Sequence, residues 1–191
     1  MMNNNSILNF FKWKDVFSLL CAVFGFFAII EVFAGNFLFA VLFLGLAGIS
    51  DYMDGFIARK FSFPTEYGAN IDTVADAVAF GVAPAVFILF YALKFTEQNF
   101  FDISAAFYLA ISIIVLCAGL MRLARYLCLA KESENENTNK NAKVYVGLPI
   151  TFNALIIPLL YLLSEYLNFN LFFLTLISAY LMISTINFRK I

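Results

Sequence analysis

Six runs of roughly 20 apolar residues, divided by polar breaks, constrain this chain more than any other feature. They cover about 15–33, 37–59, 66–93, 103–130, 146–163 and 169–188. A helix of that length matches the hydrocarbon thickness of a bilayer. Inside lipid every backbone N–H and C=O must be satisfied within the segment, so such runs are read as helices. They are apolar nearly all round, as lipid-facing helices are. Charged residues make up 13% of the chain, about half the share of a soluble domain. A water-facing globule of 191 residues would have no means of hiding the remainder. The expectation is an all-α integral membrane protein of about six transmembrane helices. Residues 1–14 then form a cytoplasmic N-terminal segment and 15–191 one transmembrane domain.

Orientation follows from lysine and arginine. With six spans, the N-terminus, the 60–66 loop, the 131–143 loop and the C-terminus share one side. Lys94 alone of the twelve basic residues falls on the other. The positive-inside rule places both termini in the cytoplasm of a multi-pass cell-membrane protein. The stretch 131–143 is polar and lacks aromatic residues, so it reads as a solvated loop. The opening MetMetAsnAsnAsnSer has no basic region ahead of a cleavage site, and a cleaved signal peptide is not expected.

Several function classes fall away. A net charge of −1 offers no field for nucleic acid. Cys21, Cys117 and Cys128 lie in apolar stretches without CxxC spacing, which speaks for free thiols and against a disulfide framework or zinc site. The chain has no histidine, so it has neither an imidazole base nor a phosphohistidine intermediate.

Against this apolar background stand four aspartates. Asp51 and Asp54 close the second run, and Asp72 and Asp76 open the third. A carboxylate costs about 2.5–3.5 kcal/mol at a membrane-helix centre, so it persists where it has a partner or a task. Spacings of three and four put each pair on one helix face. A turn near Phe63-Pro64-Thr65 brings the faces together at similar depth, with the active site on the cytoplasmic side. Four carboxylates in a low-dielectric site need cations or protons. Arg59 and Lys60 are one source; a divalent ion held by carboxylate oxygens is the better one. Gly55 and Gly68 serve either close helix packing or room for a ligand's phosphates. Ala58 fits both readings, and Arg59 is a phosphate partner or an interfacial anchor. Arg122 and Arg125, three apart on one face of the fourth run, would hold an anion or anchor the interface.

Written out, the stretch is Asp51-x2-Asp54-Gly55-x2-Ala58-Arg59-x8-Gly68-x3-Asp72-x3-Asp76. It resembles, at every fixed position, the signature of the CDP-alcohol phosphatidyltransferase family, whose members form six-helix membrane bundles. Phe80-Gly81-Val82-Ala83-Pro84-Ala85, Gly119 to Tyr126 and Val146-Gly147-Leu148-Pro149 resemble its phosphatidylserine synthase branch. Thr151 stands where many bacterial members of that branch carry a second proline. The resemblance implies a divalent metal centre, Mg²⁺ or Mn²⁺, on Asp51, Asp54, Asp72 and Asp76, with Ca²⁺ as a non-productive occupant. It implies Asp76 as general base. Gly55, Ala58, Arg59 and Gly68 would bind the CDP portion together with Asp51, Asp54 and Asp72.

The reaction so implied passes a phosphatidyl or archaetidyl group from CDP-diacylglycerol or CDP-archaeol to the hydroxyl of L-serine and releases CMP. Arg122 and Arg125 would hold the acceptor's carboxylate or the lipid-side phosphate. A homodimer among membrane lipids is expected on the same ground. Glycerol phosphate or inositol phosphate is the alternative acceptor. A small cation transporter is the reading from another class, although transport sites lie nearer the midplane. Phosphatidyltransferases of the phospholipase D type need histidine and are excluded.

Overall fold

A computed structural model describes residues 15–61, 66–96, 103–135, 145–146, 148–167, 172–184 and 187–188. Helix α1 (Asp15–Phe33) ends in a tight reversal of three residues, after which α2 (Phe37–Phe61) begins. Gly35 adopts φ +79° there. Its N–H reaches the Val32 carbonyl at 3.0 Å, and the Asn36 N–H reaches Glu31 at 2.9 Å. This is a Schellman motif, in which the left-handed position suits glycine and the last carbonyls are satisfied within the turn. The Asn36 amide also donates to the Glu31 carboxylate at 2.9 Å, so the hairpin tip is polar as well as short.

The third rod is built in three pieces: α3 (Glu66–Asp76), a π-helical turn (Ala77–Val82) and α4 (Ala83–Thr96). Pro84 accounts for the break. In an α-helix the N–H of residue 84 would reach the carbonyl of Phe80, and proline has none. Instead the Ala83 N–H bonds Val78, five residues back, which is the π register.

Helix α5 (Ile103–Asn135) follows. A single 3-10 turn, Ile150–Phe152, leads into α6 (Asn153–Leu167), and another, Phe172–Leu174, into α7 (Thr175–Ile183). Tyr145–Val146 pairs antiparallel with Asn187–Phe188, the one strand pairing among the described residues.

Five helices are long and apolar enough to cross a membrane. The sixth apolar helix, Phe172–Ile183, rises about 20 Å, short of a ~30 Å hydrocarbon core. The sixth run of the sequence reading, 169–188, is thus only partly helical among the described residues. The fifth begins at Ile150 rather than at 146, because Pro149 holds extended backbone at ψ 142° and the residue before a proline is kept out of the α region. Another correction concerns α5. Residues 131–135, read as loop, continue the helix, because Lys and Glu are good helix formers and a helix leaving the bilayer needs no apolar side chains. The rest of that loop lies outside the described residues.

Phe26, Ile49, Leu155 and Tyr166 are 58%, 61%, 69% and 84% exposed. So much outward apolar surface requires lipid around it, and the chain is a multi-pass membrane protein. Inside, two clusters divide the bundle. Far from the aspartates, Phe37, Phe87, Tyr91 and Phe172 interlock with Tyr161 at centroid distances of 5.1–6.0 Å. The Tyr91 hydroxyl donates to the Glu165 carboxylate at 3.1 Å. Near the aspartates the core is made of smaller groups: Cys21, Ala47, Ala79 and Ala154 with Phe80, Leu123, Ile150 and Met182. Small residues let backbones approach closely. A Cβ on Gly25 would come within 2.6 Å of the Ala79 Cα, and one on Gly48 within 2.9 Å of the Ala154 Cβ.

Candidate active site

Helices α2 and α3 run antiparallel and bring their aspartates together. Carboxylate oxygens of Asp51, Asp72 and Asp76 lie within 4.8 Å of one another. Asp54, one turn along α2 from Asp51, is buried and near enough to repel it. Asp76 is 9% exposed. Its Oδ1 is buried with no hydrogen-bond partner among the described residues. An unsatisfied carboxylate oxygen beside two further carboxylates must be neutralised, by a proton or by a cation that shares the site. Three hard oxygen donors suit Mg²⁺ or Mn²⁺, so the donor set fits the expected ion.

Around the cluster, Gly55 is half-buried, and a Cβ built there meets nothing within 4 Å. Its missing side chain therefore serves no helix contact among the described residues and leaves space next to Asp54. Gly68 is buried in α3 one turn before Asp72. Ala58 and Arg59 belong to α2, but their side chains lie outside the described residues.

The two arginines of α5 part company. Arg122 is half-buried, stacks its guanidinium 5.6 Å from the Tyr126 ring centroid and lies within electrostatic reach of Asp51 and Asp76. Arg125 turns away to the end of α7, where it donates to the carbonyls of Met182 at 2.8 Å and Ile183 at 3.2 Å. A cation suits the carbonyl end of a helix. The Leu148 N–H adds a bond to the Leu181 carbonyl at 3.1 Å, tying the entry to α6 to the same terminus.

One positioning residue escaped the sequence reading. Asn153, 1% exposed, donates its side-chain amide to the Phe80 carbonyl at 2.7 Å. That carbonyl is the one deprived by Pro84, and the π turn it belongs to begins directly after Asp76. Asn153 therefore fixes the turn that adjoins Asp76. Pro84 four residues after a buried carbonyl was the available signal, but nothing local to it points to residue 153. Asn153→Leu keeps the volume and removes the donor. The orphaned carbonyl should lower stability by about 1–3 kcal/mol in denaturant titration of the detergent-solubilised protein, with activity falling as Asp76 loses its footing.

Comparison with known proteins agrees with this geometry. The family model described as CDP-alcohol phosphatidyltransferase matches residues 15–186. Archaetidylserine synthase of Methanothermobacter thermautotrophicus is 32% identical across the whole chain and 75% of its own length. CDP-diacylglycerol–serine O-phosphatidyltransferase of Methanocaldococcus jannaschii is 33% identical over 80% of the chain and 63% of its own length. The Saccharomyces cerevisiae protein of that name is 33% identical over 69% and 44%. The chain thus spans three quarters of the first relative and less than two thirds of the other two.

Proposed function

This chain belongs to the CDP-alcohol phosphatidyltransferase family, and on that premise we propose that it transfers a phosphatidyl or archaetidyl group from a CDP-activated lipid to the hydroxyl of L-serine, releasing CMP. The observation that carries the reading is the trio of carboxylates within 4.8 Å, facing Arg122. The relatives named for serine transfer support the acceptor.

Asp51, Asp54, Asp72 and Asp76 hold the divalent metal, which when bound neutralises the pyrophosphate and the charge developing on CMP. Asp76 accepts the proton of the serine hydroxyl. The freed oxygen forms its bond to the lipid-side phosphorus while the bond from that phosphorus to the CMP oxygen breaks. Arg122 takes the serine carboxylate or the lipid-side phosphate by paired N–H donation. Gly55, Ala58, Arg59 and Gly68 line the CDP portion. Arg125 braces α7 and acts through the position of α5. The site faces the cytoplasm, a placement supported by Lys94 standing alone among the basic residues on the other side.

A phosphorylated acceptor would call for a denser basic pocket. Among the described residues Arg122 is the guanidinium near the aspartates, which suits one carboxylate. The purified protein should release CMP from CDP-lipid with L-serine and Mg²⁺ or Mn²⁺, and mass spectrometry should find the serine phospholipid. CMP release with glycerol phosphate or inositol phosphate, and none with serine, overturns the acceptor. Ion flux through liposomes without CMP release overturns the enzyme.

A further inference from the structure

Helix α1 carries a polar group that the proposed reaction has not yet used. Ser18 is 1% exposed, and its Oγ has no hydrogen-bond partner among the described residues. A buried hydroxyl left unpaired is costly and rare enough to require a reason. In a helix the hydroxyl's usual recourse is a carbonyl three or four residues back, and Ser18 does not bond that of Asp15, the one of the two among the described residues.

Its position relative to the aspartates follows from one contact. Helices α1 and α3 run in the same direction, and Gly25 of α1 meets Ala79 in the π turn that continues α3. Seven residues make two turns and about 10.5 Å of rise, with a drift of about 20°. Counting seven back from that contact reaches Ser18 on α1 and Asp72 on α3. The two residues therefore stand at about one level along the bundle, although the π turn shifts the angular phase between Ala79 and Asp72. Cys21, the next member of the same buried stripe, lies within electrostatic reach of all four aspartates. Along the seam of these two helices lies a furrow of about 280 Å³ lined by Leu19, Ala22, Ile71 and Val74 together with Tyr67 and Asn70, none of which hydrogen-bonds the Ser18 hydroxyl.

We infer that Ser18 is a substrate-binding residue whose Oγ hydrogen-bonds an oxygen of the nucleotide half, on the CMP phosphate or the ribose. This rests on the CDP-lipid reading of the site. On that reading Asp76 takes the proton beside the lipid-side phosphorus. Ser18 and Asp72 lie one turn nearer the aqueous end, where the part of the substrate that leaves as CMP must extend.

The test measures CMP and cytidine binding to the detergent-solubilised full chain with Mn²⁺ by calorimetry, alongside kinetics with CDP-lipid and serine. Ser18→Ala should weaken CMP binding about 10-fold, the worth of one hydrogen bond to a charged or polar group, and raise KM for CDP-lipid by the same factor. KM for serine should stay within about twofold, below what a lost hydrogen bond gives. The ligand-free Tm should hold or rise, because an unpaired buried hydroxyl is gone. Ser18→Thr, which keeps the hydroxyl, should restore CMP affinity. A matching loss with cytidine assigns the ribose; a loss with CMP alone assigns the phosphate. Unchanged CMP affinity in Ser18→Ala overturns the inference while wild-type CMP binding keeps the CDP-lipid reading. Failure of the wild type to bind CMP overturns both.

Discussion

Asp76→Asn should cut CMP release from CDP-lipid and serine by about 10²–10⁴, the usual worth of a positioned base, while CDP-lipid still binds. The substitution keeps the shape and removes both the proton acceptor and one negative charge. Asp51 and Asp72, whose oxygens lie within 4.8 Å of Asp76 and of each other, remain to hold cation and pyrophosphate. The loss should therefore fall mainly on kcat. A second readout has the opposite sign. Without divalent cations the three carboxylates repel one another, and the Asp76 Oδ1 is buried without a hydrogen bond among the described residues. Replacing that charge by an amide should raise the Tm of the chelator-treated protein. Near-native turnover in Asp76→Asn would mean that another group takes the proton. An unchanged Tm in chelator would mean that the three charges do not strain the fold.

The sequence was most legible where one residue decides one local outcome. The apolar runs located five helices because lipid imposes a length and an internal hydrogen-bond pattern on each. Gly35, which the sequence reading passed over, holds the reversal between α1 and α2 because few other residues tolerate a φ of +79°. Asp51, Asp72 and Asp76 could be brought together from spacings of three and four and one antiparallel turn. What stayed hidden depended on partners distant in the chain. Arg122 and Arg125 have equal claims by spacing, and only the approach of α7 separates them. Pro84 announces a disturbed helix, yet the donor that repairs it comes from residue 153. Helix α5 runs on to Asn135 because polarity marks where hydrocarbon ends, not where a helix must. Ser18 reads as one more small residue in an apolar run until the contact of Gly25 with Ala79 sets its level.

Removal of divalent cations should abolish turnover altogether, and the order in which ions restore it should separate holding from catalysis. A cation that binds the folded site and not the unfolded chain stabilises by RT ln(1 + [L]/Kd), about 2.7 kcal/mol at a hundredfold excess over Kd. Mg²⁺ or Mn²⁺ added back after chelation should therefore raise Tm and restore CMP release together. Ca²⁺ should raise Tm as well, since its oxygen ligands are the same, but its looser coordination should leave CMP release near zero. Asp72→Asn separates the two effects further. It keeps the helix and removes one of the three clustered donors, so it should lose most of the cation-induced rise in Tm along with activity. An equal metal-induced rise in that variant would place the stabilising ion elsewhere in the protein. Full turnover in excess chelator would leave the aspartates without a metal to hold. The four costly charges would then need a cation from the protein itself, with Arg122 the guanidinium that the described residues place within reach of Asp51 and Asp76.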